Sequence, residues 1–248
     1  MSGPRVFVLD EDRDLEAVVP EGRRDSARDA SVAATLTVPR GLWDARRDTD
    51  RARGGYGVLL LEGLLIRRVG VEGRFGSELL SAGDLLRPWQ SDGEEATVGL
   101  ETVWRVLVEA RLALLDPRWA RRMAQFPEVG AELAGRALER SRRLAATMAI
   151  ARQPRLEDRL WMLFRELADR HGRVHPDGIH VDLPLTHEVL SDLAVARRPS
   201  VSAALSRLVQ ERRIRREGRG WVLHGEPPSR RVRRRGGGEG LNGQGVAE

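Results

Sequence analysis

The 248-residue chain has no cysteine. That excludes disulfide scaffolds, thiolate zinc sites, iron–sulfur clusters and thiol redox sensing together. Aromatic residues amount to only 4%, so any core must be built mainly from Leu, Val and Ala. Lysine is absent, and all 42 basic side chains are arginines. No uncharged apolar run approaches the roughly 18 residues that span a bilayer. The N-terminal stretch, with Asp10, Glu11, Asp12 and Asp14, lacks the basic start and apolar middle of a signal peptide. These absences predict a soluble, cytoplasmic protein with no membrane partner.

Catalytic patterns are missing as well. There is no Gly-x-Ser-x-Gly, no Walker loop and no Cys–His pair. The five histidines, His171, His175, His180, His187 and His224, all lie beyond residue 170. Gly172, Pro176 and Gly178 interrupt any helix that would bring the first three to one face. We therefore expect no catalytic set, no cofactor and no metal, and read these histidines as exposed loop residues.

The charge that is present is unevenly placed. Residues 1–135 carry a net −4, residues 136–235 a net +11, and the rest −2. The length leaves room for two domains of roughly 100–200 residues. A mildly acidic first half and a basic second half suggest a sensing or scaffolding module followed by one that binds a polyanion. A GC-rich genome would account for the missing lysine but not for this asymmetry.

Residues 1–56 are mixed and polar, broken by Gly41, Gly54 and Gly55, and predict few regular elements. From Tyr56 onward, Val58–Leu61, Leu64–Val69, Glu78–Leu80, Val98–Leu100 and Val103–Val108 are short apolar runs punctuated by glycines. That pattern reads as an antiparallel sandwich or barrel. In residues 129–152, Val129, Leu133, Ala137, Ser141, Leu144, Met148 and Ala151 recur at helical spacing. A stripe so narrow suits the seam of two helices in a homodimer; the alternative is an amphipathic helix lying on its own sheet. Pro154 ends it, and Leu156–Arg170 predicts a second helix closed by Gly172. The end of the chain, from Pro227-Pro228 through five arginines to a Gly-rich terminus, has nothing apolar to pack and predicts disorder. Its arginines either touch phosphate without sequence preference or are simply solvated.

The stretch Leu185–Leu223 says most. Thr186 can cap a helix containing Val189, Leu190 and Leu193, with Glu188 near its positive end. A break at Ala194–Ala196 leads to a second helix that buries Val201, Ala204, Leu205 and Leu208, with Pro199 in its first turn. Arg198, Ser202, Ala203 and Ser206 then face outward. Ile214–Glu217 and Gly220–Leu223 flank Gly218-Arg219 as a β-hairpin wing. A helix pair with small and basic outward residues is the geometry that enters a DNA major groove.

The run from Leu185-Thr186-His187-Glu188-Val189-Leu190 to Arg198-Pro199-Ser200-Val201-Ser202 resembles the winged helix–turn–helix of Crp/Fnr-type bacterial transcription regulators. The resemblance spans about residues 56–225. It implies Arg198 at base edges and Ser200, Ser202 and Ser206 at phosphates or bases. The residues expected at double-stranded DNA are Thr186, Arg197, Arg198, Ser200, Ser202, Ala203, Ser206, Arg216 and Arg219. Two positions depart from the family pattern. Val195 stands where glycine is common and suits a left-handed turn poorly, so the turn is expected to differ. Ala203 replaces a base-reading side chain but can meet a thymine methyl.

The resemblance also implies a cyclic-nucleotide-binding-like β-roll, with Gly63 and Gly83-Asp84 at its turns. Ala96-Thr97-Val98 is preceded by Glu94 and Glu95, where the family's nucleotide binders grip a phosphate. Two carboxylates there would repel it, by about 4 kcal/mol for like charges ~4 Å apart at an effective dielectric near 20. Arg87 either binds some other anion or lies on the surface beside Trp89. The expected fold is α+β: residues 1–127 an antiparallel, jelly-roll-like β-roll, 128–153 a dimerisation helix, 154–226 a winged helix–turn–helix and 227–248 a disordered tail. The expected function is sequence-specific transcription regulation by a homodimer, without cyclic AMP. It leaves room for an unidentified small-molecule effector and for RNA polymerase as partner. Competing readings are a sequence-neutral architectural DNA-binding protein and a cupin-like enzyme fused to a DNA-binding domain.

Overall fold

The structure, a computed structural model, describes residues 4–91 and 99–224. Glu94, Glu95, the Ala96-Thr97-Val98 stretch and the arginine-rich tail lie outside the described residues. The first half runs β1 (Arg5–Phe7), α1 (Val8–Glu11), α2 (Arg13–Ala17), α3 (Arg24–Ala30), β2 (Val32–Val38), β3 (Gly41–Trp43), α4 (Ala45–Thr49), β4 (Gly57–Val71), β5 (Arg74–Ser81), β6 (Leu85–Leu86) and β7 (Glu101–Leu115). Then come α5 (Pro117–Met123), α6 (Pro127–Ala151), α7 (Leu156–His171), β8 (Gly172–His175), β9 (Gly178–Val181), α8 (His187–Leu193), α9 (Arg198–Gln210), β10 (Ile214–Glu217) and β11 (Gly220–Leu223). Among the described residues no helix is long and apolar enough to cross a membrane.

The first sheet is antiparallel in the order β1-β2-β7-β4-β5, with β3 paired to β7 and β6 to β4. The short runs expected from the sequence are pieces of longer strands: Val58–Leu61 and Leu64–Val69 both belong to β4. Of the expected Val98–Leu100 strand, Val98 is outside the described residues and the other two precede β7. Register irregularities between Leu60 and Leu65 split the apparent runs. Gly63 permits them. It adopts φ +100°, and a Cβ there would stand 2.4 Å from the Glu109 carbonyl oxygen, so no other residue fits without moving backbone.

Because side chains alternate across a strand, β4 feeds two cores. Val58, Leu60 and Leu65 pack with Trp43, Leu80, Leu86 and Trp104. Leu59 and Leu61 pack with Val8, Leu9, Leu15, Trp119, Val129 and Leu133. The N-terminal segment, expected to hold few elements, thus forms α1–α3 over one face of the sheet. Local polar bonds cap the helices around this core: at α2, Asp12 accepts from the Leu15 N–H at 3.1 Å, and at α5, Asp116 accepts from the Trp119 N–H at 2.7 Å.

This packing corrects the expected dimer seam. Val129 and Leu133 are fully buried in the chain's own core and cannot meet a partner. Leu144 and Ala151 are half-buried beside β5 and the end of α8. Ala137, Ser141 and Met148 are exposed. Leu138 is 69% and Met148 70% exposed, which marks the open face of α6.

The C-terminal part is a second antiparallel sheet, β10-β11-β9-β8, packed against α7, α8 and α9. Its core contains Leu163, Phe164, Leu190, Leu193, Val201, Leu205, Leu208 and Trp221. The Phe164 and Trp221 rings lie 5.2 Å apart. Ile66 of β4 joins this core, and Leu79 and Leu107 pack against it. The first sheet and α8 therefore touch directly.

Candidate nucleic-acid interface

Helix α8 begins where the Thr186 Oγ1 accepts from the Val189 N–H at 3.2 Å. Val189, Leu190 and Leu193 face inward. The following turn corrects the expectation that β-branched Val195 would alter it. Val195 adopts φ +49°, the left-handed conformation itself. That conformation costs a non-glycine residue roughly 1–2 kcal/mol. Hydrogen bonds around the turn hold it: Ala194 N–H to the Leu190 carbonyl at 2.9 Å, Ala196 N–H to the Ser191 carbonyl at 3.0 Å, and Arg159 Nη1 to the Ala194 carbonyl at 2.8 Å.

Helix α9 then starts with Pro199 in its first turn and buries Val201, Ala204, Leu205 and Leu208, as the periodicity predicts. Arg197, Arg198, Ser200, Ala203 and Ser206 are exposed. Among the described residues, Arg197 and Arg198 make no ion pair or hydrogen bond through their guanidinium groups. Ser202 is half-buried and more engaged than expected. Its hydroxyl donates to the Arg198 carbonyl at 3.1 Å, and His187 Nδ1 lies 2.8 Å away. The Ser206 hydroxyl donates to the Ser202 carbonyl at 3.0 Å. Free backbone N–H groups at the start of α9 add a positive end suited to phosphate.

The wing has the two strands that the sequence predicts. Arg219 sits exposed at its tip. Arg216 is different: its Nη1 donates to the Leu185 carbonyl at 3.0 Å and its Nε to the Gly218 carbonyl at 3.2 Å. Its guanidinium also stacks over Trp221, 4.9 Å from the ring centroid. Arg216 therefore braces the wing while staying exposed. Between wing and helices runs an open groove of about 780 Å³, lined among others by Thr186, His187, Arg198, Ser206, Arg216 and Trp221.

Sequence reasoning missed His187, which positions Ser202 from the neighbouring helix, and Arg212, exposed just beyond α9. The Arg212-Arg213 pair was a visible signal, although Arg213 is spent on the Trp161 ring, 4.4 Å away. It also missed a cluster beside the wing. The β8–β9 hairpin, rather than a helix, brings Asp177 and His180 next to Glu217 of β10.

Helix α8 is tied to the first sheet. Arg105 Nη1 donates to Glu188 Oε1 at 2.7 Å, and Arg68 Nε lies 3.6 Å from Asp192 Oδ1. The Arg105 bond holds the Glu188 carboxyl below its usual range, whereas burial pushes that of Asp192 up. On the other side of the sheet is a cavity of about 350 Å³ lined by Arg67, Leu85, Arg87, Thr102, Ala137 and Arg140. Glu78 already engages Arg67 and Arg140 there. Arg87 is exposed, donates to the Gly55 carbonyl at 3.1 Å and lies over Trp89, in keeping with a surface role.

Comparison with known proteins places this geometry. Residues 155–226 match the family described as the Crp-like helix-turn-helix domain. A structure of a CooA mutant from Carboxydothermus hydrogenoformans superposes with a TM-score of 0.58 at 15% identity, covering 77% of this chain and 83% of its own. A cyclic nucleotide-binding domain containing protein from Listeria monocytogenes gives 0.60 at 13% identity, covering 77% and 89%. A CRP-family transcriptional regulator from Thermus thermophilus gives 0.50 at 25% identity, covering 76% and 91%. No curated protein matches the sequence.

Proposed function

Residues 155–226 belong to the Crp-like helix-turn-helix family, and from that premise we propose that the protein is a sequence-specific transcription regulator that binds double-stranded DNA as a homodimer. The observation that carries this reading is Arg198: exposed, without an ion pair or side-chain hydrogen bond among the described residues, and in the first turn of a helix whose opposite face is buried. From that position it makes a bidentate contact to guanine O6 and N7. Ser200, Ala203 and Ser206 line the same face, and Arg219 on the wing meets the backbone.

The test is selection of bound fragments from random DNA, followed by titration of the selected site. Arg198→Ala should cost about 1–3 kcal/mol on that site and relax one position per half-site. Equal losses on selected and random DNA would make Arg198 a phosphate contact and favour the sequence-neutral architectural reading.

The homodimer is supported by the open face of α6. Ala131, Ala134, Leu138, Ser141, Ala145 and Met148 alternate at spacings of three and four, a heptad seam. Ala131, Ala134, Leu138, Ser141, Ala145 and Met148 are all exposed. Leu138→Arg should give a 27.7 kDa species in sedimentation in place of a dimer. Leu144→Arg should instead disturb the packing of α6 beneath α8. A two-fold dimer demands a near-palindromic site with half-sites about one helical turn apart.

Independence from cyclic AMP rests on the sequence at Glu94 and Glu95, supported by the occupation of Arg67 and Arg140 by Glu78. Calorimetry with cyclic AMP should show no saturable heat. RNA polymerase and a small-molecule effector stay within the proposal as partners of a regulator.

A further inference from the structure

The cluster beside the wing has a chemistry that DNA binding does not use. Asp177 sits in the β8–β9 turn, His180 on β9 and Glu217 at the end of β10, and one ligand atom from each lies within 4.8 Å of the other two. His180 Nε2 is 2.9 Å from Asp177 Oδ1. The His175 ring lies against His180, 4.2 Å between centroids, and fixes its plane. Among the described residues this is the one group of three such side chains that can close on a cation.

A second observation marks where the cation sits. A single nitrogen, Arg215 Nη2, bridges the two carboxylates: it contacts Asp177 Oδ2 and lies 2.7 Å from Glu217 Oε2. Positive charge is thus already drawn to the point between them. The fit is incomplete, because Arg215 Nε is buried without a hydrogen-bond partner. Two carboxylates facing one guanidinium also leave a net negative charge.

We propose that Asp177, His180 and Glu217 bind a divalent first-row transition cation of the zinc class, which takes the place of the Arg215 guanidinium. One imidazole and two carboxylates are a ligand set such cations accept. Metal–ligand bonds of ~2.1 Å need ligand atoms within roughly 3.5–4 Å of one another, reached here by small rotations of the exposed Asp177 and Glu217 side chains. Water completes the coordination. On binding, His180 coordinates the metal through the Nε2 lone pair with the ring proton on Nδ1, and the Arg215 side chain is released toward solvent on the wing. The metal then ties β10, one residue before the wing tip, to the β8–β9 turn.

The experiment uses the full chain, stripped with a chelator and titrated calorimetrically with zinc chloride. One zinc per chain should bind saturably in the micromolar range. His180→Ala and Asp177→Asn should each weaken binding at least tenfold, while His224→Ala should leave it unchanged. Arg215→Gln, which removes the resident cation, should tighten it severalfold. Absence of saturable binding, or equal affinity in wild type and His180→Ala, overturns the site. The consequence for DNA rests on the function proposed above: zinc should steepen the salt dependence of DNA binding by about one ion as Arg215 is released. A chain that binds zinc but no DNA would keep the site and remove the function, so the two failures are distinguishable.

Discussion

The first half of the chain holds two helices by ion pairs of quite different kinds. Helix α6 is fastened by three arginines on one face. Arg136 donates to both oxygens of Asp12 at 2.5 and 2.9 Å, Arg140 to both oxygens of Glu78 at 2.5 and 3.0 Å, and Arg143 to Asp84 at 2.7 Å. Glu78 and Asp84 are more than nine-tenths buried. Helix α8, by contrast, is held by Arg105–Glu188, whose side chains are 40% and 58% exposed, and by the longer Arg68–Asp192 pair. Forked, buried pairs fix geometry and are costly to open, while exposed single pairs contribute little. The difference teaches which joint can move. The sheet and α6 form one rigid unit, whereas at α8 the ion pairs add little to an apolar contact through Ile66, Leu79 and Leu107.

The largest effect should come from breaking the rigid side. Glu78→Ala leaves Arg67 and Arg140 facing each other without a carboxylate, and burial already pulls the Arg67 pKa down. Removing one partner of a buried pair should destabilise by about 3 kcal/mol. Urea unfolding, followed by tryptophan fluorescence, would measure it. A loss below 0.5 kcal/mol on that scale would show that the two joints do not differ.

A pH titration should give the next largest change, and it probes the same rigid side. His171 ends α7 beside this network, and burial, reinforced by Arg170, lowers its pKa to about 4. The unfolded chain, with a pKa near 6.5, then binds the extra proton between pH 6.5 and 4. His171 therefore contributes stability above about pH 6.5 that is lost as pH falls toward 4. Glu166, whose pKa burial raises, acts in the opposite sense. Allowing for the partial exposure of His171, the net loss from pH 7 to 4.5 should be about 2 kcal/mol. His171→Gln should flatten that slope; an unchanged slope would assign it to other groups.

The two regions were also unequally legible in the sequence. The helix–turn–helix could be read nearly residue by residue, because Thr186, Pro199 and the spacing of Val201, Leu205 and Leu208 all specify the same local answer. Propensity alone misjudged Val195, whose strain is absorbed by the carbonyl contacts of Arg159, a residue 36 positions away. Helix α6 misled for another reason. Its inner stripe changes partner along its length, from the Trp119 core at Val129 and Leu133 to the β5–α8 junction at Leu144. One continuous stripe of small residues therefore looked like a single seam, while the exposed heptad lay one position round. The β1–α3 segment hides its packing in Val8, Leu9 and Leu15, too few apolar residues for periodicity to show. Arg216 and the Asp177–His180–Glu217 group are products of strand pairing, and no local pattern encodes them.

The smallest effect sharpens the comparison from its weak side. A double-mutant cycle on Arg105→Ala and Glu188→Ala should return a coupling of only about 0.2–1 kcal/mol, as for other exposed pairs. Its response to salt is more telling than its size. Both side chains reach solvent, so raising ionic strength from 0.05 to about 0.5 M brings the screening length well under 10 Å and should erase the coupling. The same cycle on Arg140 and Glu78 should keep most of its value, because water and ions do not enter between forked, buried partners. Since Glu188 also opens the helix preceding α9, loss of its tether should loosen that helix pair as a unit without unfolding it. Hydrogen exchange would then rise at β5 and α8, where sheet and helix meet, and stay unchanged along α6. Equal salt sensitivity of the two couplings would mean that both joints are solvent-screened, and the rigid-and-movable division would fail.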